Sequence, residues 1–209
     1  MSLPAPPNPH AWLPAIELEG PRVRLELLDK RHAADLFAAA DIELFRHLIS
    51  SAPEWTLEGF ERDVERMLGF PNDIPYAIVL KATGRAIGRT AFREINPQRR
   101  GLEIGRTVIG RAWHGKGVNP EVKYLMLRHA FEGASPPAAR VALWTNVTNL
   151  HSQAAISKLG AKREGVLRRY FADPHRPSSP PKDIIVYSII AEEWPEVKAG
   201  LEKRIAAGK

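Results

Sequence analysis

The sequence predicts one α+β (mixed α/β) domain in which a sheet of about seven strands is flanked by helices. The chain has 209 residues, of which 44% are hydrophobic and 26% are charged, and this is the balance of an ordinary globular protein. Segments of alternating polarity predict strands, and segments with apolar residues at helical spacing predict helices. A meander of strands precedes strand–helix–strand units, and this order favours a mixed sheet with helices packed on it.

The first half of the chain predicts a strand, two helices and a run of three strands. Residues 23–28 alternate in polarity and predict the first strand, after which Asp29 is a favourable N-cap for a helix. Thr56 opens a second helix over 56–68, whose apolar side chains share one face. Three successive strands are predicted over 76–81, 86–95 and 102–109.

The second half predicts helices and strands that alternate. The predicted elements are a helix over 120–132, a strand over 140–146, a helix over 150–158, strands near 162–171 and 184–190, and a helix from Glu192. Prolines cluster in residues 1–20, which predict a loose tail, and in 173–183, which predict a mobile loop. The domain is expected over 21–195, and residues 196–209 complete the last helix and a short tail.

Composition excludes several classes of protein. The chain contains no cysteine, and this excludes a disulfide scaffold, thiolate metal sites and a cysteine nucleophile. Its seven histidines are scattered without metal-ligand spacing, so we expect no metal. No apolar run approaches the roughly 20 residues of a membrane span. The first residues lack the basic start and apolar stretch of a secretory signal, so a cytoplasmic protein is expected.

Positive charge is concentrated in one segment. The segment from Arg85 to Lys116 contains eight basic and two acidic residues, and its net charge of +6 equals that of the whole chain. Such a segment favours an anionic partner, which could be a small polyanion, an acidic acceptor or an acidic protein, and the alternative is a charge that serves only solubility. A nucleic-acid surface is disfavoured, because the segment has no recognition motif and no aromatic interleaving among its arginines.

A glycine-containing turn follows the last strand of the meander. Gly115 and Gly117 bracket Lys116, while Asn119 and Pro120 suit the N-cap and first position of the next helix. Glycines let the backbone aim several N–H groups at one point, where the helix N-terminus adds partial positive charge, as in pyrophosphate sites. The sequence has no GxxxxGK[ST] or GxGxxG here, which disfavours a P-loop and a Rossmann site. An ordinary strand-to-helix turn is the alternative at this point.

A second motif lies one strand further on. Asn149 caps a short helix, Ser152 follows three positions later, and Gly160 ends the helix. The two motifs together resemble the GNAT family of acyl-CoA-dependent N-acyltransferases, above all its RimJ/RimL-type branch, which acetylates the N-termini of ribosomal proteins. The matching features are Glu103-Ile-Gly105, Trp113-His-Gly115-Lys-Gly117, Asn149…Ser152…Lys158-Leu-Gly160, Glu164-Gly165, Asp183 followed by Tyr187-Ser188, and Glu193-Trp194. The resemblance spans residues 20 to about 195.

The resemblance implies a fold and a place for acetyl-CoA. In this family the mostly antiparallel, twisted sheet is splayed between its fourth and fifth strands, and a β-bulge in the fourth leaves backbone groups that pair with pantetheine. The pantetheine-binding backbone positions implied here are Thr107, Val108 and Ile109. The pyrophosphate-binding N–H groups implied here are those of His114, Gly115, Lys116, Gly117, Val118 and Asn119, and the side chain of Asn149 is implied to reach the pantetheine. Arg111, Lys116 and Lys158 are either further phosphate partners or solvated charges.

The resemblance also implies catalytic residues. Glu103 matches the position of a general base in some members, and a carboxyl in a partly dry cleft suits that role because its pKa rises towards neutrality. Its alternative role is an ion pair with Arg89 or Arg93. Ser152 matches a serine that hydrogen-bonds the departing sulfur, and its alternative is a bond back to its own helix. Ile156 stands where the usual family acid is a tyrosine, so a tyrosine acid is excluded.

The function implied is direct transfer of an acetyl group from acetyl-CoA to a primary amine, either a protein N-terminus or a small molecule. The alternatives are another acyl group, such as succinyl, and a non-catalytic acyl-CoA-binding module. Trp144 and His151 are candidates for lining the acceptor cleft, although packing is the favoured role for Trp144. The surplus arginines of 85–106 hint at an acidic acceptor or partner. Family members often dimerise, so a homodimer is left open. No nucleic acid and no membrane partner is expected.

Overall fold

Eight strands and seven α-helices build the described part of the chain, which in this computed structural model comprises residues 9–45, 52–172 and 179–208. The strands are β1 (Leu18–Glu19), β2 (Val23–Leu27), β3 (Ile74–Leu80), β4 (Arg85–Asn96), β5 (Gly101–Ile109), β6 (Arg140–Asn146), β7 (Lys162–Phe171) and β8 (Lys182–Ile190). The helices are α1 (Pro9–Trp12), α2 (Ala33–Ala39), α3 (Ile42–Phe45), α4 (Leu57–Leu68), α5 (Val118–Arg128), α6 (Leu150–Ser157) and α7 (Trp194–Ala206).

The strands form one sheet in the order β1-β2-β3-β4-β5-β6-β8-β7 across the described ranges. Neighbouring strands pair antiparallel, except that β5 and β6 pair in parallel. The predicted α+β (mixed α/β) fold, with a mostly antiparallel sheet flanked by helices, is therefore confirmed. One strand was not predicted: β1 pairs with β2, and its two residues are too few to show an alternating pattern. The fourth strand of the prediction is consequently β5.

Helices cover both faces of the sheet. Ala91 and Phe92 are consecutive in β4, and they are fully buried in two different apolar clusters because successive side chains of a strand point to opposite faces. On the Phe92 face, α5 and α7 contact each other, and Met126 of α5 lies in the same cluster. On the Ala91 face, α2 and α4 contact each other, and Phe60 of α4 lies in that cluster. We call these the α5 face and the α4 face.

The described part of the predicted N-terminal tail is not loose. Trp12 and Leu13 are buried in the α5-face core. The indole Nε1 of Trp12 donates to the carbonyl of Pro136 at 2.7 Å, and His129 Nε2 lies 2.8 Å from the carbonyl of Pro14. The prediction for residues 1–20 was wrong over 9–20, because prolines still offer carbonyl acceptors and the apolar side chains between them can join a core. Residues 1–8 lie outside the described residues.

Helix α5 begins two residues earlier than predicted. Its N-cap is Gly117, whose φ of 74° is left-handed, and Val118 is the first helical residue. The predicted N-cap Asn119 and first-position Pro120 therefore lie inside the first turn, where the missing N–H of proline is still tolerated because no intrahelical acceptor faces it. The glycine turn feeds directly into the helix.

The predicted mobile loop 173–183 falls mainly outside the described residues, which omit 173–178. Lys182 and Asp183 at its end belong to β8. None of the described helices is long and apolar enough to cross a membrane.

Candidate active site

An opening separates β5 from β6 along most of their length. The two strands pair in parallel at Gly101↔Arg140, Leu102↔Val141 and Glu103↔Ala142, and the register ends there. Residues 104–109 of β5 and 143–146 of β6 diverge beyond this point. The predicted splay between the fourth and fifth strands is confirmed, with its closed end at Glu103.

A β-bulge lies in β5 on the edge of this opening. Arg89 pairs with Val108 and Ala91 pairs with Gly105, so three steps along β5 match two steps along β4. The extra residue bends the strand, and Arg106 takes a left-handed φ of 53°. A bulge interrupts the ladder, so backbone groups beside it are left for another partner.

The three predicted pantetheine-binding positions, Thr107, Val108 and Ile109, lie between this bulge and the end of β5. Ile109 differs in one respect, because its carbonyl lies 2.9 Å from His114 Nε2 and is therefore engaged.

The glycine turn has the features of an anion cradle. Gly115 has a left-handed φ of 73° with open space where a side chain would stand. Helix α5 has no side-chain N-cap, and the first N–H groups of a helix find no intrahelical acceptor. These features fit a pyrophosphate on the N–H groups of residues 115–119. The predicted N–H of His114 does not fit, because it donates to the Arg111 carbonyl at 3.1 Å.

Two stacked histidines join the two motifs. The rings of His114 and His151 lie 5.5 Å apart with an interplanar angle of 16°, and this contact places the N-terminus of α6 beside the glycine turn. His151 was a candidate for lining the acceptor cleft, and the contact that the structure shows for its ring is this stacking. Asn149 Oδ1 accepts a hydrogen bond from the Ser152 backbone N–H at 3.0 Å, so its oxygen caps α6. Its two amide N–H donors have no acceptor among the residues that the structure describes.

The Ser152 hydroxyl has no hydrogen-bond partner among the described residues, and the alternative bond back to its own helix is not present.

The three basic residues predicted near the phosphates differ in their surroundings. Arg111 Nε lies 2.8 Å from Asp41 Oδ2, so its charge is already paired. Lys116 and Lys158 are exposed, and neither forms an ion pair within the part of the chain that the structure describes.

Glu103 is the buried carboxyl at the closed end of the opening. It lies between Leu102 and Ile104, whose side chains belong to the α5-face core, so Glu103 projects to the α4 face. The residue is 3% exposed. Arg93 Nη1 contacts both of its oxygens, at 3.0 and 2.9 Å. Burial raises the pKa of Glu103 to about 7, although the positive charge of Arg93 acts in the opposite direction.

A cleft of about 600 Å³ lies next to Glu103 on the same face. Its lining includes Phe70, Arg93, Arg99, Arg106, Arg140 and Trp144. Trp144 is among the residues that line this cleft, and its indole also packs edge-on against Tyr170, with ring centroids 5.3 Å apart, which agrees with the packing role favoured from the sequence.

Five arginines of the basic segment form ion pairs, whereas Arg99 and Arg100 are exposed and form none among the described residues. Ion pairs with carboxylates from other elements include Arg85 to Asp35 at 2.7 Å, Arg89 to Asp63 at 2.9 Å and Arg106 to Asp73 at 3.3 Å. The interpretation of these residues as surplus arginines for an acidic acceptor is therefore corrected for the paired ones, and it stays a prediction for Arg99 and Arg100. A count along the sequence cannot include carboxylates that tertiary folding brings from other elements.

One buried basic residue was missed. Lys123 of α5 is 5% exposed, and its Nζ lies 2.6 Å from Thr107 Oγ1. Burial lowers the pKa of Lys123 to about 7, while the Glu103 carboxylate acts in the opposite direction. Its place in the sequence gave a signal, because a lysine three residues before Met126 and one after Val122 interrupts the apolar stripe of the helix.

Clusters of three or more His, Asp or Glu side chains that could hold a metal ion do not occur within residues 9–45, 52–172 and 179–208.

Comparison with known proteins adds an independent result. The family model of the acetyltransferase (GNAT) domain matches residues 22–162. A solved structure described as an acetyltransferase, from T. thermophilus, is 37% identical, covers 90% of this chain and 96% of its own, and has a TM-score of 0.82. A GCN5-related N-acetyltransferase from Brucella melitensis has the same TM-score of 0.82 at 24% identity, covering 93% of this chain and 90% of its own. Comparison with curated proteins gives no match.

A more distant solved structure shares the fold. Mycobacterium smegmatis RimJ, in complex with CoA-disulfide, is 21% identical with a TM-score of 0.68, and the match covers 92% of this chain and 93% of that one. The splayed strands, the bulge in β5 and the glycine turn all lie within residues 22–162, which the family model matches. This chain belongs to the GNAT acetyltransferase family.

Proposed function

We propose that this chain is an acetyl-CoA-dependent N-acetyltransferase that moves an acetyl group to a primary amine, either a protein N-terminus or a small molecule, within a ternary complex. The observation that carries the proposal is the position of Glu103. It is a buried carboxyl with a pKa of about 7, and it lies between an acceptor-sized cleft and the β5–β6 opening. A binding module without chemistry has no need of such a group.

Acetyl-CoA, when bound, supplies an acyl group activated as a thioester. The backbone of Thr107 and Val108 and the N–H groups of residues 115–119 are the groups that would hold it, with Lys116 free to pair with a phosphate. Mycobacterium smegmatis RimJ, a protein of the same fold, is solved in complex with CoA-disulfide, and this supports a CoA ligand for the present chain.

Glu103 has the properties of the general base. A primary amine is mainly an ammonium at neutral pH and becomes nucleophilic after it loses a proton. A carboxylate with a pKa of about 7 can take that proton at neutral pH and release it again afterwards. Arg93 holds the carboxylate in place through both oxygens.

Ser152 and Asn149 supply the remaining polar groups on the α6 side. The Ser152 hydroxyl is free within the described residues, so it can donate a hydrogen bond to the sulfur of CoA. The Asn149 amide keeps its N–H donors while its oxygen caps the helix. The single domain expected over 21–195 holds all of these groups.

Two measurements test the proposal together. Saturating CoA should raise the melting temperature, since a ligand at about 100 times its Kd adds about 2.7 kcal/mol of stability. Thiol release from acetyl-CoA should depend on an added amine, in a panel that includes short peptides with free N-termini and small amines. If CoA raises the melting temperature but no amine in the panel causes thiol release from acetyl-CoA, the chain is the non-catalytic binding module of the alternative. Faster release from succinyl-CoA than from acetyl-CoA indicates the other acyl donor.

A further inference from the structure

A buried lysine lies beneath the bulge of β5. Lys123 projects from α5 to the sheet, where Val122 and Met126 of the same helix are fully buried. Its Nζ has one hydrogen-bond partner within the described ranges, Thr107 Oγ1 at 2.6 Å, and it forms no ion pair there. An amine without a carboxylate partner is costly to bury, and an apolar side chain in its place avoids that cost.

The partner of Lys123 lies at the functional end of β5. Thr107 follows Arg106, the left-handed residue of the bulge. Thr107 itself is partly exposed and lies at the β5–β6 opening. Its hydroxyl lies 2.8 Å from Thr90 Oγ1 on the neighbouring strand. Lys123, Thr107 and Thr90 thus form a short chain of polar atoms on the α5 face, directly behind the edge proposed to meet pantetheine.

The chain of hydrogen bonds constrains the Thr107 hydroxyl. An ammonium at Lys123 can only donate, so Thr107 Oγ1 must accept from it and has its own proton for another partner. A neutral amine can accept instead, and Thr107 can then accept from Thr90. In both states Lys123 fixes the position of Oγ1, and Glu103 on the opposite face is the charged group whose field reaches the amine.

We propose that Lys123 is a positioning residue of the active site: through its hydrogen bond to Thr107 it holds the bulge of β5 in the shape that receives the acyl donor. This inference rests on the proposed function. It differs from a packing role, because a packing role requires only volume, which methionine supplies about as well.

The first test needs no substrate. Hydrogen exchange of amides in residues 104–109 should become faster in Lys123→Met and in Thr107→Val, while Thr107→Ser keeps the wild-type rates. Lys198→Met, on the surface of α7 beside Glu132, is the matched control and should leave these amides unchanged. Unchanged exchange at the bulge in both Lys123→Met and Thr107→Val overturns the proposal.

Stability against pH gives a second readout on the substrate-free protein. Below about pH 7, Lys123 is an ammonium in both the folded and the unfolded chain. Above about pH 7 the amine is neutral in the folded chain, whereas in the unfolded chain it stays protonated up to its ordinary pKa of 10.5. The unfolded state therefore binds more protons in this window, and wild type should gain stability relative to Lys123→Met from about pH 7 to about pH 10. If the free energies of unfolding of wild type and Lys123→Met differ by the same amount at every pH in this range, the amine at this position is not buried.

The third test measures kcat of the variants. Lys123→Met and Thr107→Val should each lower kcat, by up to about 100-fold if the bulge shifts, and the double variant should be no worse than either single one. A kcat within twofold of wild type in both single variants overturns the proposal. Absence of transfer in the wild type itself contradicts the proposed function, and the exchange data then decide the role of Lys123 independently.

Discussion

Arg93 contacts both carboxylate oxygens of Glu103 through a single nitrogen, Nη1, at 3.0 and 2.9 Å. An arginine at this distance ordinarily holds the pKa of a carboxyl low, yet burial outweighs it and the pKa of Glu103 is about 7. Arg93 also faces Asp73, whose Oδ2 lies 3.7 Å from its Nε, so its charge is shared between two carboxylates. The pair therefore fixes the orientation of Glu103 and leaves its proton exchangeable near neutral pH.

Glu103→Gln should lower kcat by about 100-fold or more, because the glutamine keeps the shape and cannot take a proton. In the wild type, kcat/KM should rise as pH increases through about 7, since the base acts when ionised. In the Glu103→Gln variant, kcat/KM should no longer rise over this pH range. Glu202→Gln, beside the Tyr124 hydroxyl on the surface, serves as the control. If kcat/KM of Glu103→Gln still rises through about pH 7 as in the wild type, the ionisation belongs to another group.

Arg93→Met should move the rise of kcat/KM with pH to a higher pH. The arginine charge lowers the pKa of Glu103, and its removal leaves burial unopposed by the nearest cation. The midpoint of the kcat/KM profile is the measurement. Arg85→Met removes an arginine of the same strand that pairs with Asp35 instead, so its midpoint should stay at the wild-type value. A shift in both variants points to general charge effects and not to the pair.

Local signals in the sequence predicted much of the framework. Thr56 and Asn149 were identified as caps, and both accept a backbone N–H at 3.0 Å at the start of their helices. Caps, turns and strand alternation depend on residues a few positions apart, so a sequence can display them. The splay at Glu103 came from the family resemblance, because the end of strand pairing has no local signature.

Long-range pairing could not be predicted in this way. Arg89 and Asp63 are distant in the sequence, and the fold brings Nη2 and Oδ2 to 2.9 Å on the α4 face. The charge of the basic segment looked unbalanced for that reason. Lys123 was missed for a related reason, since its environment is set by Thr107 on a strand and not by its helical neighbours.

Arg89→Met should lower the free energy of unfolding by about 3 kcal/mol, because it leaves Asp63 buried with a weaker set of partners. Both side chains of this pair are 4% exposed. Asp63 keeps its contact with Arg66, which limits the loss. Chemical denaturation measures the change. Arg85→Met, whose arginine side chain is 62% exposed, is the control and should cost less than about 1 kcal/mol.

Asn149 combines a cap with a proposed ligand contact, and substitutions can separate the two. Asn149→Ala should lower stability by about 1 kcal/mol, because the Ser152 N–H loses its acceptor at the start of α6. Asn149→Asp keeps an oxygen for the cap and should keep the stability, since aspartate is an equally good N-cap. It removes the amide donors, however, and places a negative charge at the opening.

The measurement for this pair is the Kd of CoA beside the melting temperature. If the Asn149 amide reaches the pantetheine, Asn149→Asp should bind CoA more weakly while melting like the wild type. Ser152→Ala offers the reference, because its backbone N–H and the cap remain in place and CoA affinity should change little while kcat falls. Wild-type affinity in Asn149→Asp restricts Asn149 to capping α6, and the predicted contact with pantetheine is then wrong.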